Sequence, residues 1–191
     1  AFRAAHADAG VKVSEPVDAR RAAPGAVPVA RFSSQPVREL VTKMNGESNN
    51  HFAELIFRNT ARKSAGTGSA ESANTLLRSF LAERVGTPST GVYAADGSGL
   101  STADRVTPRS LVGILDYSAK APWSQHFTSS LPVAGRTETL KSRMRGTPAD
   151  GRLRGKTGTT SEVTSLGGYV TAANGEELVF AFIYNGTDRF R

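Results

Sequence analysis

The chain has 191 residues, 38% of them hydrophobic, and carries a formal net charge of +7. It contains no cysteine, which excludes disulfides and thiol chemistry, and no apolar run approaches the roughly 20 residues that a membrane-spanning helix needs. A chain of this length can bury one sizeable core, so a single globular unit is expected.

The positive charge suits contact with nucleic acid, acidic lipid or an anionic cell-wall polymer, and charge alone does not choose among them. Basic residues are densest at residues 136–156, where no aromatic side chains are interleaved that could stack on bases. A nucleic-acid module, whose DNA binding would weaken steeply with salt, is therefore the least favoured function class.

The first part of the chain predicts two helices separated by an irregular stretch. Residues 1–9 favour a helix that Gly10 closes. Residues 20–28 are rich in alanine, proline and glycine and predict a loop or linker. Residues 27–32 are expected to be extended, and the next helix is predicted over residues 37–44.

The middle of the chain predicts a pair of longer helices. The first spans residues 48–62, and its apolar face is so broad that the helix is expected to be central to the core. Residues 66–69 interrupt the pattern, and a second helix then runs to Val85 and stops at Gly86. The broad face of the first helix consists of Phe52, Leu55, Ile56 and Phe57.

A short strand, a turn and a further helix are predicted next. Residues 91–95 favour a strand and residues 96–99 a turn, while Thr107 caps a helix that Pro108 begins and that ends near residue 117. Two shorter helical stretches follow, around Trp123 and Leu140.

The end of the chain changes to the two-residue period of β-strands. Residues 152–157 predict one strand, and residues 166–172 are expected to pair with residues 178–184 across Asn174-Gly175, a dipeptide that favours a two-residue hairpin. Both faces of the last strand are apolar, so we expect it to be covered on both sides. The sequence therefore predicts an α+β fold in which an antiparallel β-sheet is sandwiched between helical layers.

The tetrad Lys156-Thr157-Gly158-Thr159 at the end of the first predicted strand is a candidate binding site. Acyl transfer from a peptide C-terminus needs a nucleophile, a proton shuttle, an oxyanion hole, and a cation or hydroxyls for the carboxylate. Lys156 offers the charge, Gly158 leaves the strand edge open to a peptide, and Thr159 offers a hydroxyl and an N–H. The alternative is a strand that simply runs into a turn, since a Lys-Thr-Gly triplet occurs by chance in roughly a few per cent of chains of this length.

Ser48 and Asn50 are a second candidate pair. They are two residues apart at a predicted helix start, so both can face one cleft, the hydroxyl to relay a proton and the amide to hold a substrate amide or a catalytic lysine. A Ser-x-Asn triplet occurs by chance in about half of chains of this size. A plain helix N-cap is the alternative role for Ser48.

The usual nucleophile of such a site, a serine followed three residues later by a lysine, does not occur in the 191 residues. Thr60 and Lys63 have the right spacing but lie about 18 Å beyond Ser48 on the same predicted helix, whereas proton transfer needs roughly 3 Å. We therefore reject this pair as a replacement.

Other catalytic patterns have little support. There is no Gly-x-Ser-x-Gly elbow to accompany the histidines, and Gly97-Ser98-Gly99 lacks the third glycine of a dinucleotide-binding loop. Metal ligands at useful spacing are absent, so neither a metal nor a cofactor is expected. The histidines are His6, His51 and His126.

Three blocks, in order, resemble the C-terminal part of D-alanyl-D-alanine carboxypeptidases of the low-molecular-mass class C penicillin-binding protein family. They are residues 44–55, residues 96–101 together with residues 105–108, and residues 155–159, and the resemblance extends over about residues 1–186. It implies the beta-lactamase/transpeptidase-like (penicillin-binding) fold, with residues 1–191 as an incomplete, C-terminal portion of the transpeptidase domain.

The resemblance also implies roles for the candidate residues. Ser48 and Asn50 would form the second motif of this family, and Lys156, Thr157 and Gly158 the third, while the N–H of Thr159 would be one oxyanion donor. In the family the nucleophilic serine and its lysine come early and large inserted domains follow, so this chain resembles the returning part and would need the missing N-terminal part as its partner.

The implied function is that of a serine-type D-Ala-D-Ala carboxypeptidase, with endopeptidase activity as a further option. Such an enzyme acts on peptidoglycan stem peptides through an acyl-enzyme, is a target of beta-lactam antibiotics, and is exported to the periplasm or cell wall. The chain alone is predicted to be inactive. The alternative is a non-catalytic protein of the same fold that binds cell-wall peptides.

Overall fold

The structure of the chain, a computed structural model, describes residues 2–12 and 23–186. Its contacts divide it into two units, Ala1–Ser34 and Gln35–Arg191. The first unit contains helix α1 (Phe2–Asp8), which ends at Gly10 as predicted. Residues 23–34 form no helix or strand, so the extended stretch expected at residues 27–32 is not part of a sheet.

The predicted loop at residues 20–28 falls partly outside the described residues. Its residues 23–28 include a turn in which the Ala26 N–H bonds the Ala23 carbonyl at 3.1 Å. Gly25 adopts a left-handed conformation in this turn, with φ of 79°. The described part of this stretch is therefore irregular, as its composition predicts.

Two consecutive helices of the second unit meet at a sharp junction. Helix α2 (Val37–Glu47) runs one turn beyond its predicted end, and helix α3 (Asn50–Ala65) follows after only two residues. The side chain of Asn49 accepts the Phe52 N–H at 3.1 Å and so caps α3. The alternative role of Ser48 as the N-cap is therefore wrong.

Helix α3 is not central, contrary to the prediction. Ala61 is its one buried residue, and Leu55 is 42% exposed. The helix packs against α4 and α2 and makes no extensive contact with a strand. A broad apolar face predicts burial only if a partner covers all of it, and these two helices cover only part.

The remaining helices follow the predicted order. Helix α4 (Ala70–Phe80) continues through a π-helical turn (Leu81–Val85) to Gly86, and α5 (Pro108–Lys120) is capped by Thr107, whose hydroxyl accepts the Ser110 N–H at 3.1 Å. The two short stretches are α6 (Ser124–Ser129) and a 3₁₀ turn (Glu138–Leu140). The strand expected at residues 91–95 is reduced to a single bridge between Tyr93 and Arg105.

Three antiparallel strands form a sheet in the order β1-β2-β3. They are β1 (Leu153–Thr159), β2 (Val163–Thr171) and β3 (Glu177–Asn185). The β2–β3 hairpin has three loop residues rather than the predicted two, since Ala172 bonds Glu176 across residues 173–175. Gly175 takes the left-handed conformation, with φ of 87°, that a loop of this length requires.

Helix α5 covers one face of this sheet. Tyr169 of β2 is 2% exposed there, and its hydroxyl donates to the Leu115 carbonyl of α5 at 2.8 Å. Burial raises the pKa of Tyr169 to about 12, so its hydroxyl keeps its proton and remains a donor. The α5 face is the one on which Lys156 lies, because Arg154 pairs with Tyr169 and strand residues alternate between faces.

The opposite face carries the core cluster of Ala134, Leu140 and Leu153, against which Phe180 of β3 packs. Beyond Phe180 this face is open: Phe182 is 68% exposed. The prediction that the last strand is covered on both sides is therefore wrong for the described residues, because the segment that covers this face reaches only as far as Phe180. Leu178 and Tyr184 are exposed on the same face.

None of the helices in the described ranges combines the length and the apolar character needed to cross a bilayer.

Candidate active site

One cleft of about 450 Å³ collects residues from three separate parts of the chain. These parts are the junction between α2 and α3, the loop of residues 96–101, and the end of β1 with the residues after it. All six residues proposed from the sequence line it, namely Ser48, Asn50, Lys156, Thr157, Gly158 and Thr159. The structure therefore brings the two candidate motifs together, while the role of each residue stays a prediction.

Ser48 has an unusual backbone at this junction. Its φ of 56° and ψ of 49° place it in the left-handed region. A residue with a Cβ that adopts this conformation is destabilised by roughly 1–2 kcal/mol. This conformation ends α2 and leaves the side chain exposed at the cleft instead of capping α3. Strained residues of this kind concentrate at functional sites.

Lys156 reaches Ser48 across 108 residues of sequence. Its Nζ donates to the Ser48 Oγ at 2.7 Å and to the Thr157 carbonyl at 2.9 Å. The side chain is half-buried, and burial lowers the pKa of Lys156 from its ordinary value. No described carboxylate forms a salt bridge with it, so its charge is available to an anionic ligand.

The outer edge of β1 is covered along only half of its length. The Gly155 N–H bonds the Pro132 carbonyl at 3.0 Å, and the Leu153 carbonyl accepts the Ala134 N–H at 2.9 Å. Alternate residues of a strand direct their backbone groups to the same edge, so Thr157 and Thr159 direct theirs to this side as well. The described residues provide no strand to pair with them there, which leaves an edge to which an extended peptide could add.

Gly158 lies directly opposite a hydroxyl side chain of the neighbouring strand. A Cβ at this position would lie 2.4 Å from the Ser165 Oγ, because Ser165 pairs with Gly158 across β1 and β2. Ser165 also lines the cleft and was not predicted as a site residue. Its position directly opposite the tetrad in an antiparallel hairpin is the signal that could have identified it.

Asn50 lies on the cleft from the first residue of α3, with its side chain exposed. Asn45, in the last turn of α2, also lines the cleft and is only 6% exposed. Its Nδ2 donates to the Ser130 Oγ at 2.7 Å, which fixes α2 to the end of α6. No sequence pattern marks Asn45, because its partner is 85 residues away.

The loop of residues 96–101 forms a third wall of the cleft. The turn predicted at its start is confirmed: the Asp96 carboxylate accepts N–H groups from Ser98 and Gly99 at 2.7 and 2.6 Å. The sequence did not predict that this loop would contact the same cleft as Ser48. Its lining residues are Gly97, Ser98, Gly99 and Leu100.

Thr60 and Lys63, the rejected replacement for the nucleophile pair, lie outside the residues that line the cleft. The Thr60 hydroxyl donates to the Ile56 carbonyl at 2.8 Å within α3.

The cleft offers a cation, hydroxyls and free backbone N–H groups, which suit an extended peptide that ends in a carboxylate.

The whole chain, residues 1–191, matches the D-Ala-D-Ala carboxypeptidase 3 (S13) family. It is 36% identical over 163 residues to a D-alanyl-D-alanine carboxypeptidase of an Actinomadura species. The matched region covers 83% of this chain and 30% of that protein. It is 30% identical over 160 residues to the D-alanyl-D-alanine carboxypeptidase DacB of Haemophilus influenzae, covering 83% of this chain and 33% of that protein. The chain thus spans about a third of the length of these curated relatives.

Solved structures agree with this similarity. Penicillin-binding protein 4 (DacB) from Haemophilus influenzae, complexed with a beta-lactam, superposes with a TM-score of 0.76 at 29% identity, over 83% of this chain and 37% of that one. An extended-spectrum beta-lactamase gives a TM-score of 0.58 at 16% identity, over 81% of this chain and 57% of that one. The second match shows the fold alone, and together they confirm the predicted fold class.

Proposed function

Because this chain belongs to the D-Ala-D-Ala carboxypeptidase 3 (S13) family, we propose that it forms part of the active site of a serine-type D-Ala-D-Ala carboxypeptidase. The observation that carries the proposal is the bond of 2.7 Å between the Lys156 Nζ and the Ser48 Oγ. Acyl transfer needs a cation and a hydroxyl in the same site. This bond brings the two together from motifs that are distant in sequence.

The substrate of this proposal is a peptidoglycan stem peptide that ends in D-Ala-D-Ala. The peptide lies extended along the free half of β1, where the N–H groups of Thr157 and Thr159 can bond its backbone. Its terminal carboxylate is held by the charge of Lys156 and the Thr157 hydroxyl, while Asn50 holds a substrate amide. Gly158 leaves the space above this edge unobstructed.

The nucleophile is a serine oxygen that a segment outside this chain supplies. As it attacks the carbonyl carbon of the penultimate D-alanine, its proton passes to the lysine of the same Ser-x-x-Lys motif, and the Thr159 N–H donates to the oxyanion that forms. The Ser48 hydroxyl relays that proton from the lysine to the leaving nitrogen, the C–N bond breaks, and the terminal D-alanine leaves. Water hydrolyses the resulting serine ester, which releases the shortened peptide and restores the serine.

This assignment is tested by assaying the complete protein, which joins this chain to the segment with the Ser-x-x-Lys motif, for release of D-alanine from a peptide ending in D-Ala-D-Ala. We expect release that penicillin blocks. A complete protein that carries the motif but releases no D-alanine, and that penicillin does not acylate, would contradict the proposal.

Three further features belong to the same proposal. Beta-lactams would acylate the same serine, a role that the beta-lactam complex of the similar Haemophilus influenzae protein supports. Endopeptidase activity would use the same cleft with a cross-linked peptide. The complete protein would act in the periplasm or at the cell wall, where its substrate is found.

A non-catalytic cell-wall binding protein of the same fold is the second candidate, since the chain itself contains no serine followed three residues later by a lysine. The two candidates differ in one observation. The complete gene encodes a Ser-x-x-Lys motif upstream if the protein is an enzyme, and lacks it if the protein only binds cell-wall peptides.

Replacing Ser48 separates its backbone strain from its hydroxyl. Ser48→Gly should stabilise the chain by about 0.5–1 kcal/mol, because glycine adopts the left-handed conformation without a Cβ penalty. Ser48→Ala is the matched control, since it removes the same hydroxyl but keeps the Cβ, and it should give no such gain. Urea unfolding of the two variants and the wild type measures the difference, and equal stabilities of the two variants would show that the residue is unstrained.

In the complete protein the same two variants should both lose most penicillin acylation. The reason is that neither can accept the bond from the Lys156 Nζ or relay a proton. A glycine variant that is more stable but less active would demonstrate that the strain is retained for function.

A further inference from the structure

The loop of residues 96–101 has its internal shape fixed by one carboxylate. Asp96 accepts the N–H groups of Ser98, Gly99 and Ser101 at 2.7, 2.6 and 2.8 Å. Burial acts to raise the pKa of Asp96, but these bonds outweigh burial and leave the pKa lowered. The residue is therefore an ionised acceptor. These contacts are all within the loop, so they do not fix where the loop lies on the protein.

A glutamate on helix α3 fixes that position. The Glu54 Oε2 accepts the Gly97 N–H at 2.6 Å, and the Glu54 Oε1 accepts a hydrogen bond from Arg58, one turn further along the helix. The Gly97 N–H, and after it Arg58, lower the pKa of Glu54. Hydrogen bonds to an ionised acceptor are stronger than neutral ones, so this contact is a strong link between α3 and the loop.

The loop also lies unusually close to α3. A Cβ at Gly97 would lie 2.5 Å from the Phe57 Cβ and 2.7 Å from the Ala53 carbonyl oxygen. Only glycine permits this distance, because any side chain would overlap with both groups. The glutamate and the glycine therefore act together, the first by attracting the loop and the second by allowing it to approach.

This link reaches the cleft directly. Glu54 lies four residues after Asn50, about one helical turn, so one end of α3 carries both a residue on the cleft and the anchor of the loop. Gly97 and Leu100 of the anchored loop line the same cleft. The width of the cleft between the helix and the loop thus depends on the bond from Gly97 to Glu54.

We infer that Glu54 is a positioning residue: by holding Gly97 against α3 it fixes the loop of residues 96–101 as one wall of the cleft, and so sets how tightly the substrate peptide is held. The role in peptide binding rests on the function proposed above. Glu54 itself does not line the cleft, so it acts through the loop and not on the reacting atoms.

The first test uses the complete protein and needs no activity. Glu54→Ala should speed hydrogen exchange of the Gly97 amide about tenfold or more, because the amide loses its acceptor, with a smaller effect on the amides that Asp96 holds. Glu54→Gln keeps an acceptor oxygen and should restore most of the protection. Glu83→Ala, an exposed glutamate after α4, is the control and should change neither.

The second test uses the complete protein and a peptide ending in D-Ala-D-Ala. Glu54→Ala should raise KM about tenfold and leave kcat within about twofold, because it weakens a binding wall without removing a reacting group. Glu54→Gln should recover most of the affinity. A KM of Glu54→Ala equal to that of the wild type, or equal effects from Glu83→Ala, would overturn the inference.

The two tests separate this inference from the proposed function. If the wild-type complete protein releases no D-alanine, the proposed function fails, and the exchange measurement alone decides whether Glu54 positions the loop. A Gly97 amide whose exchange is unchanged in Glu54→Ala would overturn the inference even if the protein is an active carboxypeptidase.

Discussion

The 191-residue chain alone is expected to form no covalent adduct with a labelled penicillin, whereas the complete protein should be labelled on one serine. The reason is that no serine in the chain is followed three residues later by a lysine, and a serine hydroxyl without a proton acceptor is a weak nucleophile. Intact-mass measurement after incubation detects the adduct, whose mass increase equals that of the penicillin.

The control for this experiment is the complete protein whose upstream Ser-x-x-Lys serine is replaced by alanine, which should also remain unlabelled. Addition of a segment that carries the proposed Ser-x-x-Lys motif, as a separate chain, should restore labelling. An adduct on the chain alone would contradict the prediction, and peptide mapping would then identify a nucleophile within residues 1–191.

Replacing Lys156 should have the second large effect. In the complete protein, Lys156→Ala should slow penicillin acylation by about 10²–10³-fold, since the loss of one preorganised electrostatic group in an active site raises the barrier by about 2.7–4 kcal/mol. Lys63→Ala removes an exposed lysine on the same chain, outside the cleft, and should leave the rate unchanged. Stopped-flow labelling measures the rates, and a Lys156→Ala rate within threefold of the wild type would contradict the assignment.

The pH profile of the same reaction tests the charge of Lys156. Burial lowers the pKa of Lys156, so the ammonium loses its proton at a lower pH than an exposed lysine does. Acylation that depends on this charge is present at neutral pH and should decline as the pH rises through the lowered pKa. Lys156→Arg keeps its charge to a higher pH, so any remaining activity in that variant should lack this alkaline decline.

The order of helices and strands could be predicted because local signals mark their ends. The residue pair Thr107-Pro108 begins α5, as its capping preference predicts, and Gly86 ends the helical stretch that includes α4.

The hairpin loop between β2 and β3 is an exception to this agreement. A two-residue turn at Asn174-Gly175 would shift β3 by one residue and reverse its faces, which would remove Phe180 from the core cluster. The packing of Phe180 therefore outweighs the local preference of the turn.

The candidate site could be predicted in outline because each of its motifs is short and local. The contact of 2.7 Å between Lys156 and Ser48 could not, since it depends on the left-handed backbone of Ser48. Ser48 and Asn49 are both good helix caps by residue type, and only the folded chain shows that Asn49 caps α3 and leaves Ser48 to the cleft. The contact of Glu54 with Gly97 likewise joins residues 43 positions apart without a sequence pattern.

The half-covered edge of β1 has a consequence for solubility. Unpaired strand edges attract strands of other molecules, and natural proteins discourage this with short edges and with charged residues, lysine above all. The free part of β1 is short, and Lys156 lies at its start, with its ammonium against the Thr157 carbonyl at that edge. We therefore expect the charge that would attract a carboxylate ligand also to protect the chain against edge-to-edge aggregation, so neutralising it would impair solubility together with binding.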